Sequence, residues 1–273
     1  MSEIIFSTLC VGDLYEKYTR FYIKKLQSIP DLEIDLCITS DHYFGDKIKP
    51  GKIRCHFNVL SEEIIKKTHK SDAAYNKTTC FKYFYKAHAL KYAASNFPDK
   101  SICHTDCDII PNSEFSISRF LRLDKSKTLY CPNTVSCSGG YGGPYEQDGK
   151  TLSIVPKLKC IIDQFIPEFN DYENTRFPIE NILFFNKISQ DILFKFCEDW
   201  LKMGSFSDSK GYPTYGDCFE IKPACLLNNI DVESTSLMPF CDMFKGKFIE
   251  LLKQSKFEND EDFLNDLIKK NFR

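Results

Sequence analysis

Ser101-Ile102-Cys103-His104-Thr105-Asp106-Cys107-Asp108-Ile109-Ile110-Pro111-Asn112 is the stretch that decides how this chain is read. A long helical pattern runs up to it and is stopped by Phe97-Pro98-Asp99, after which the first residues of the stretch read as a strand. Asp106 and Asp108 then fall at the strand's carboxyl end, one residue apart. Two carboxylates so placed can face one divalent cation, and hard oxygen ligands suit Mg²⁺ or Mn²⁺. Asp-x-Asp also has a plain reading, because turns are rich in Asp for local hydrogen-bonding reasons. The surroundings favour the metal: in open α/β sheets ligands bind outside the carboxyl ends of strands, where these two residues lie.

Upstream, the apolar run Ile4 to Val11 predicts a strand that Gly12-Asp13 ends. Leu14 to Leu26 places Tyr18, Phe21, Tyr22 and Leu26 at helical spacing. Leu32 to Thr39 predicts a second strand, followed by Ser40-Asp41-His42, and Ile53 to Leu60 a third after Pro50-Gly51. This start predicts an α/β fold with a mostly parallel sheet and helices on both faces. Thr79 to Asn96 predicts one long helix in which aromatic residues interleave with Lys82, Lys86 and Lys91. His88 reads as a packed residue on that helix, and His104 as part of the strand lining.

Downstream, a short helix is expected over Phe115 to Leu121 and a strand over Leu129 to Val135. Residues 136–149 carry Gly139, Gly140, Gly142, Gly143 and Gly149, a spacing that fits neither a P-loop nor a Rossmann fingerprint and reads better as a mobile loop over a site. A helix over Leu158 to Phe165, a strand over Ile182 to Asn186 and an amphipathic helix over Ile188 to Met203 follow. Then comes a second acidic segment, Tyr215-Gly216-Asp217-Cys218-Phe219-Glu220. Asp217 and Glu220 share a face if the segment is helical. Pro223 argues for a turn over 216 to 221 and a helix with that proline in its first turn. Phe244 to Arg273 is expected as a helical tail.

Composition narrows the class. With 273 residues, 42% hydrophobic and 24 Phe, the chain can bury a large aromatic core as one large domain or two intimate ones. A formal charge of -2 without a basic stripe disfavours nucleic acid as a partner. The 13 Cys include no Cys-x-x-Cys pair, so a zinc ribbon is disfavoured and free thiols in a reducing compartment are expected. The N-terminus lacks the basic and apolar regions of a signal peptide, and no apolar run reaches the roughly 18 residues of a membrane span. A soluble, cytoplasmic protein is the expectation.

Taken together, the strand Ile4 to Val11, the strand ending Thr39-Ser40-Asp41, the long helix and above all Thr105-Asp106-Cys107-Asp108-Ile109-Ile110-Pro111 resemble the nucleotide-sugar glycosyltransferases of the GT-A fold. The nearest likeness is to retaining enzymes of the blood-group transferase type, and more distantly to the glycogenin and lipopolysaccharide-galactosyltransferase type. The resemblance covers roughly residues 3 to 232. It implies a Rossmann-like catalytic domain over 1–241, with a nucleotide- and metal-binding half (1–112) and an acceptor half (113–241), and a helical C-terminal extension over 242–273. It implies Mn²⁺ or Mg²⁺ held by Asp106 and Asp108 against the diphosphate of a UDP-sugar or similar donor. Thr8 would lie beside the nucleoside, Asp41 near the base, and Lys86 toward the phosphates or donor sugar, with Lys82 as runner-up. Asp217 and then Glu220 would be the carboxylates facing the anomeric carbon. Where the blood-group type has a Glu after the Asp, this chain has Cys218, so the likeness leaves retention or inversion open. The acceptor would be a glycan or another hydroxyl compound.

Other classes remain beside this one. A haloacid-dehalogenase-like phosphatase also uses Asp-x-Asp after a strand, but there the motif opens the fold, whereas here several strands precede it. A nucleotidyltransferase would want a Gly- and basic-rich loop after the first strand, and Cys10-Val11-Gly12-Asp13 lacks one. A degenerate domain that binds nucleotide without turnover is the non-enzymatic alternative.

Overall fold

The computed structural model describes residues 3–65, 84–111, 117–123, 127–132, 134–136, 145–147, 150–152, 155–171, 176–178, 181–210, 212, 218–235 and 240–243. A seven-stranded sheet forms its centre. Three strands come first in the chain: β1 (Ile4–Cys10), β2 (Ile34–Ser40) and β3 (Ile53–Val59). They are followed by β4 (Ser101–Thr105), with β5 (Ile109–Pro111) lying outside this sheet. Later segments add β6 (Leu129–Cys131), β11 (Ile182–Phe185) and β12 (Val232–Ser234). The order across the sheet is β12-β6-β11-β4-β1-β2-β3. β1 is parallel to both β2 and β4, β2 to β3, and β12 to β6, whereas β11 is antiparallel to β4 and β6. The expected α/β class, a mostly parallel sheet with flanking helices, is therefore what the chain forms. The expected strand over Ile182 to Asn186 exists, and it is the one strand of this sheet that runs against the rest.

Every residue of β1 and β2 is buried, as parallel strands covered on both faces must be. Their side chains alternate. Ile4, Phe6, Ile34, Leu36 and Ile38 face one core with Tyr22, Ile23 and Leu26 of helix α1 (Asp13–Gln27). Ile5 and Cys37 face the other core, with helices α2 (Lys86–Asn96), α5 (Gln190–Ser209) and α6 (Cys218–Leu227). The period of two along each strand thus feeds two helical layers. Gly12, whose φ of 91° suits glycine, precedes α1, which carries Asp13 and Glu16 in its first turn and Lys24 and Lys25 in its last, in accord with the helix dipole.

Several sequence expectations are corrected in detail. The strand expected over Leu129 to Val135 is two strands: β6, and β7 (Thr134–Ser136), which pairs instead with β10 (Arg176–Pro178). Pro132 lies between β6 and β7 and has no N–H to offer a ladder. Of the helix expected over 79 to 96, the described part is a short 3₁₀ turn at residues 84–85 and then α2. Pro223 is not in a first turn: α6 starts at Cys218 and carries the proline inside it. The apolar face of Phe219, Ile221, Ala224 and Cys225, all buried, outweighs the lost hydrogen bond. Of the glycine-rich stretch, residues 137–144 and 148–149 lie outside the described residues; within it β8 (Tyr145–Gln147) pairs antiparallel with β9 (Lys150–Leu152). β13 (Phe240–Met243) pairs antiparallel with β5. The expected tail over 244–273 lies outside the described residues. No helix among the described residues is long and apolar enough to cross a membrane.

Candidate active site

The chain runs from β1 to β2 to β3 in one direction across the sheet, then returns to lay β4 on the other side of β1. The order therefore reverses between β1 and β4, and a crevice opens at such a switch point, outside the carboxyl ends of the strands. Asp106 is the first residue after β4. Its N–H donates to the Asn181 carbonyl at 2.9 Å, and its own carbonyl accepts from Ile109 N–H at 3.2 Å, closing a turn that holds Asp106 and Asp108 together. The reading of Asp-x-Asp as a turn is met by this geometry.

Lys86, the first residue of α2, is 2% exposed and reaches Asp106, with Nζ 3.0 Å from Oδ1 and 3.3 Å from Oδ2. A cation at a helix N-terminus opposes the dipole, at a cost of roughly 0.3–1 kcal/mol, so neither helix formation nor solvation explains its position. The carboxylate explains it. Burial pushes the Asp108 carboxyl above its ordinary range, and the positive charge of Lys86 partly opposes the rise. His104, on the strand below, is fully buried and held well below the usual imidazole range by burial and by Lys86, so it is neutral. It makes one 3.3 Å contact to Ser7 Oγ. A charged lysine, a partly exposed carboxylate and a second carboxylate disfavoured as an anion thus meet at one strand end.

A second polar network lies at the ends of β1 and β2. Asp41 Oδ2 accepts from Gly12 N–H at 2.9 Å, tying the turn into α1 to the end of β2. His42 sits between two carboxylates, with Nδ1 2.8 Å from Asp41 Oδ1 and Nε2 2.8 Å from Glu16 Oε2. Only the imidazolium can donate to both, and these contacts, with Glu16 first, raise its pKa. Lys47 completes the network at 2.9 Å from Glu16 Oε1.

The sequence-derived site residues separate in the structure. Lys86, Asp106 and Asp108 come together as described. Asp41 stands at the same rim, two strands from β4, held by Gly12 and His42. Thr8 lies inside β1 rather than at its end, fully buried with no hydrogen-bond partner for Oγ1. Asp217 and Lys82 lie outside the described residues. Glu220 does not stand at the surface: it is fully buried in the helical layer, its Oε1 2.7 Å from Lys157 Nζ and accepting from Ser207 Oγ at 2.9 Å. Lys157 belongs to α4 (Val155–Phe165), so one ion pair and one hydroxyl join α4, α5 and α6. Sequence reasoning missed Lys157 and the Glu16–His42 pair. A signal for Lys157 existed, since it lies one turn before Ile161 on the apolar face of its helix.

Among the described residues no group of three or more His, Cys, Asp or Glu side chains is arranged to hold a metal ion. Two carboxylates are enough for Mg²⁺ when substrate phosphates and waters complete the shell, so Asp106 and Asp108 fit that kind of site.

No family model matches this chain, and no curated protein matches it. Among solved structures it is similar to that of the galactosyltransferase LgtC in complex with donor and acceptor sugar analogs, with 14% identity and a TM-score of 0.46, over 81% of this chain and 69% of that one.

Proposed function

We propose that the chain is a metal-dependent glycosyltransferase of the GT-A type that moves a sugar from a nucleotide-diphosphate sugar, a UDP-sugar first, to an acceptor hydroxyl. The observation that carries this reading is the meeting of Lys86 with the Asp106–Asp108 turn at the carboxyl end of β4, beside the switch point of the sheet. Buried lysine at the crevice supplies positive charge for a diphosphate, and the two carboxylates would hold Mn²⁺ or Mg²⁺. When bound, such a cation neutralises charge that builds on the leaving diphosphate. Lys86 exchanges part of its contact with Asp106 for a phosphate oxygen, and Asp41 keeps the β1–α1 turn in place beside the nucleoside. Asp217 is carried forward on sequence grounds as the carboxylate facing the anomeric carbon. Glu220, sealed against Lys157, has a supporting role in the helical layer instead.

Isothermal titration of UDP with and without Mn²⁺, followed by a screen of UDP-sugars for Mn²⁺-dependent hydrolysis, tests the proposal. Mn²⁺-dependent UDP binding that Asp106→Asn and Asp108→Asn each weaken at least tenfold is expected. UDP binding indifferent to both the metal and these substitutions would sink it. Binding without any turnover would favour the degenerate nucleotide-binding alternative.

A further inference from the structure

A cavity of about 430 Å³ opens beside β12, the edge strand of the sheet, within the range of roughly 300–1,000 Å³ usual for small-molecule sites. Its wall reaches the carboxyl rim at Thr134, just beyond the end of β6. β12 and β4 are separated by β6 and β11, so the cavity stands three strand spacings from the Asp106–Asp108 turn, about 14 Å along the sheet.

The lining is balanced in charge. Arg176 and Lys222 contribute two cations, Asp171 and Glu233 two carboxylates. The Arg176 guanidinium is fixed in orientation by Thr134, donating from Nε to Oγ1 at 2.6 Å and from Nη2 to the backbone carbonyl at 2.7 Å. Lys222 is half-buried on α6, and Glu233 is exposed on β12. Phe169 and Leu226 add apolar surface, and Ser234 a hydroxyl. A site for an anion would carry an excess of positive charge, and a site for a lipid would be mostly apolar. Donors and acceptors in equal number around small apolar patches suit a ligand with hydroxyls at its rim and C–H groups on its faces.

We infer that this cavity binds a neutral saccharide unit, part of the acceptor, on the same face of the molecule as the donor crevice. Its designation as acceptor site rests on the glycosyltransferase reading, whereas saccharide binding itself does not. Arg176 and Lys222 donate to ring hydroxyls, Asp171 and Glu233 accept from them, and Phe169 packs against the ring.

The test is saturation-transfer NMR with methyl β-galactoside, methyl α-glucoside and cellobiose, each also titrated against the paired variant Lys222→Met/Glu233→Gln and against Ser234→Trp. Glu233 and Ser234 are exposed and Lys222 is half-buried, and circular dichroism checks that each variant is folded. At least one saccharide is expected to bind, and to bind at least tenfold more weakly to both variants, while UDP–Mn²⁺ titration is unchanged. Absence of binding by all three, affinity indifferent to the variants, or displacement of the saccharide by inorganic phosphate would overturn the inference. If a saccharide binds as expected and UDP does not, the cavity stands and the donor reading falls; if UDP binds and no saccharide does, the reverse holds.

Discussion

Lys86 with Asp106 and Lys157 with Glu220 are both lysine–carboxylate pairs whose lysine is withdrawn from solvent, at 2% and 0% side-chain exposure. They differ in the carboxylate. Asp106 keeps 22% of its side chain exposed at a strand end, whereas Glu220 keeps none. The first pair reaches solvent through Asp106, so its charges are partly screened by water. The second joins three helices, has Ser207 as a further partner and is closed to solvent. A buried pair adds little net stability over apolar side chains, but breaking one partner of it is costly. Withdrawal from solvent therefore does not by itself mark a site: what matters is whether one member of the pair opens outward.

The sealed pair gives the largest expected effect. Lys157→Met alone should destabilise the fold by about 3–5 kcal/mol, because it strands the Glu220 carboxylate. Lys157→Met combined with Glu220→Leu should recover most of that loss. Urea denaturation measures both, and a single-variant loss below about 1 kcal/mol would erase the contrast between the pairs.

The strand end that carries the open pair, where Asp108 also lies, should show its effect in turnover instead. Asp108→Asn should lower the rate by about 10²–10³, or roughly 3–4 kcal/mol of barrier. Its effect on stability has the opposite sign. Burial raises the folded-state pKa of Asp108 above its unfolded value, so above that folded pKa the ionised carboxylate disfavours folding and a neutral amide relieves it. A melting temperature equal to or above that of the parent, together with lost turnover, is the expected result. A lowered melting temperature with retained turnover would move Asp108 to the structural side of the comparison.

Gly204 connects the two regions, since α5 carries both Gly204 and Ser207. A Cβ at this position would lie 2.5 Å from the ring of Phe84, which is fully buried two residues before Lys86. Gly204→Ala gains about 1 kcal/mol of helix propensity but must move a ring that has no open space around it, typically at 1–3 kcal/mol. A net loss of up to about 2 kcal/mol is expected in urea denaturation, with lowered UDP affinity as Phe84 shifts α2 and Lys86. Unchanged UDP affinity would show that the open pair is insulated from the helices behind it.

The smallest effect concerns pH. The folded-state pKa of His42 is raised, chiefly by its hydrogen bond to Glu16, so its contribution to stability is complete below the unfolded value near 6.5 and is lost as pH rises through the folded value. His42 is 38% exposed, so solvent screening keeps the contribution to at most about 1 kcal/mol. His42→Gln should flatten the slope of stability against pH in that window. An unchanged slope would show that Lys47 and Arg20 hold Glu16 without help from His42.

Periodicity and punctuation made much of this legible in the sequence. The buried runs of β1 and β2, the helical spacing in α1 and the strand ending at Thr105 are local patterns, and local sterics with side-chain alternation are enough to produce them. That Lys86 lies near the Asp106–Asp108 turn was foreshadowed by an Asp-rich strand end and an aromatic-lysine helix, both of which leave marks in sequence. The split at Pro132 could have been read from the missing N–H, and Lys157 from its place on an apolar helix face.

Other features depended on contacts between residues far apart in sequence. Only the tertiary structure decided that β11 runs against its neighbours, that the strand order reverses between β1 and β4, and that Pro223 lies within a helix. It alone separated Glu220 from Asp106, two acidic residues that the sequence reading places at one site. Their roles depend on what each carboxylate meets after folding: for one, a lysine at the open end of a strand; for the other, a lysine and a serine on two further helices. The physical reason is that the energy of a charge is set by its partners and its access to water, and neither is encoded in residue type or local spacing.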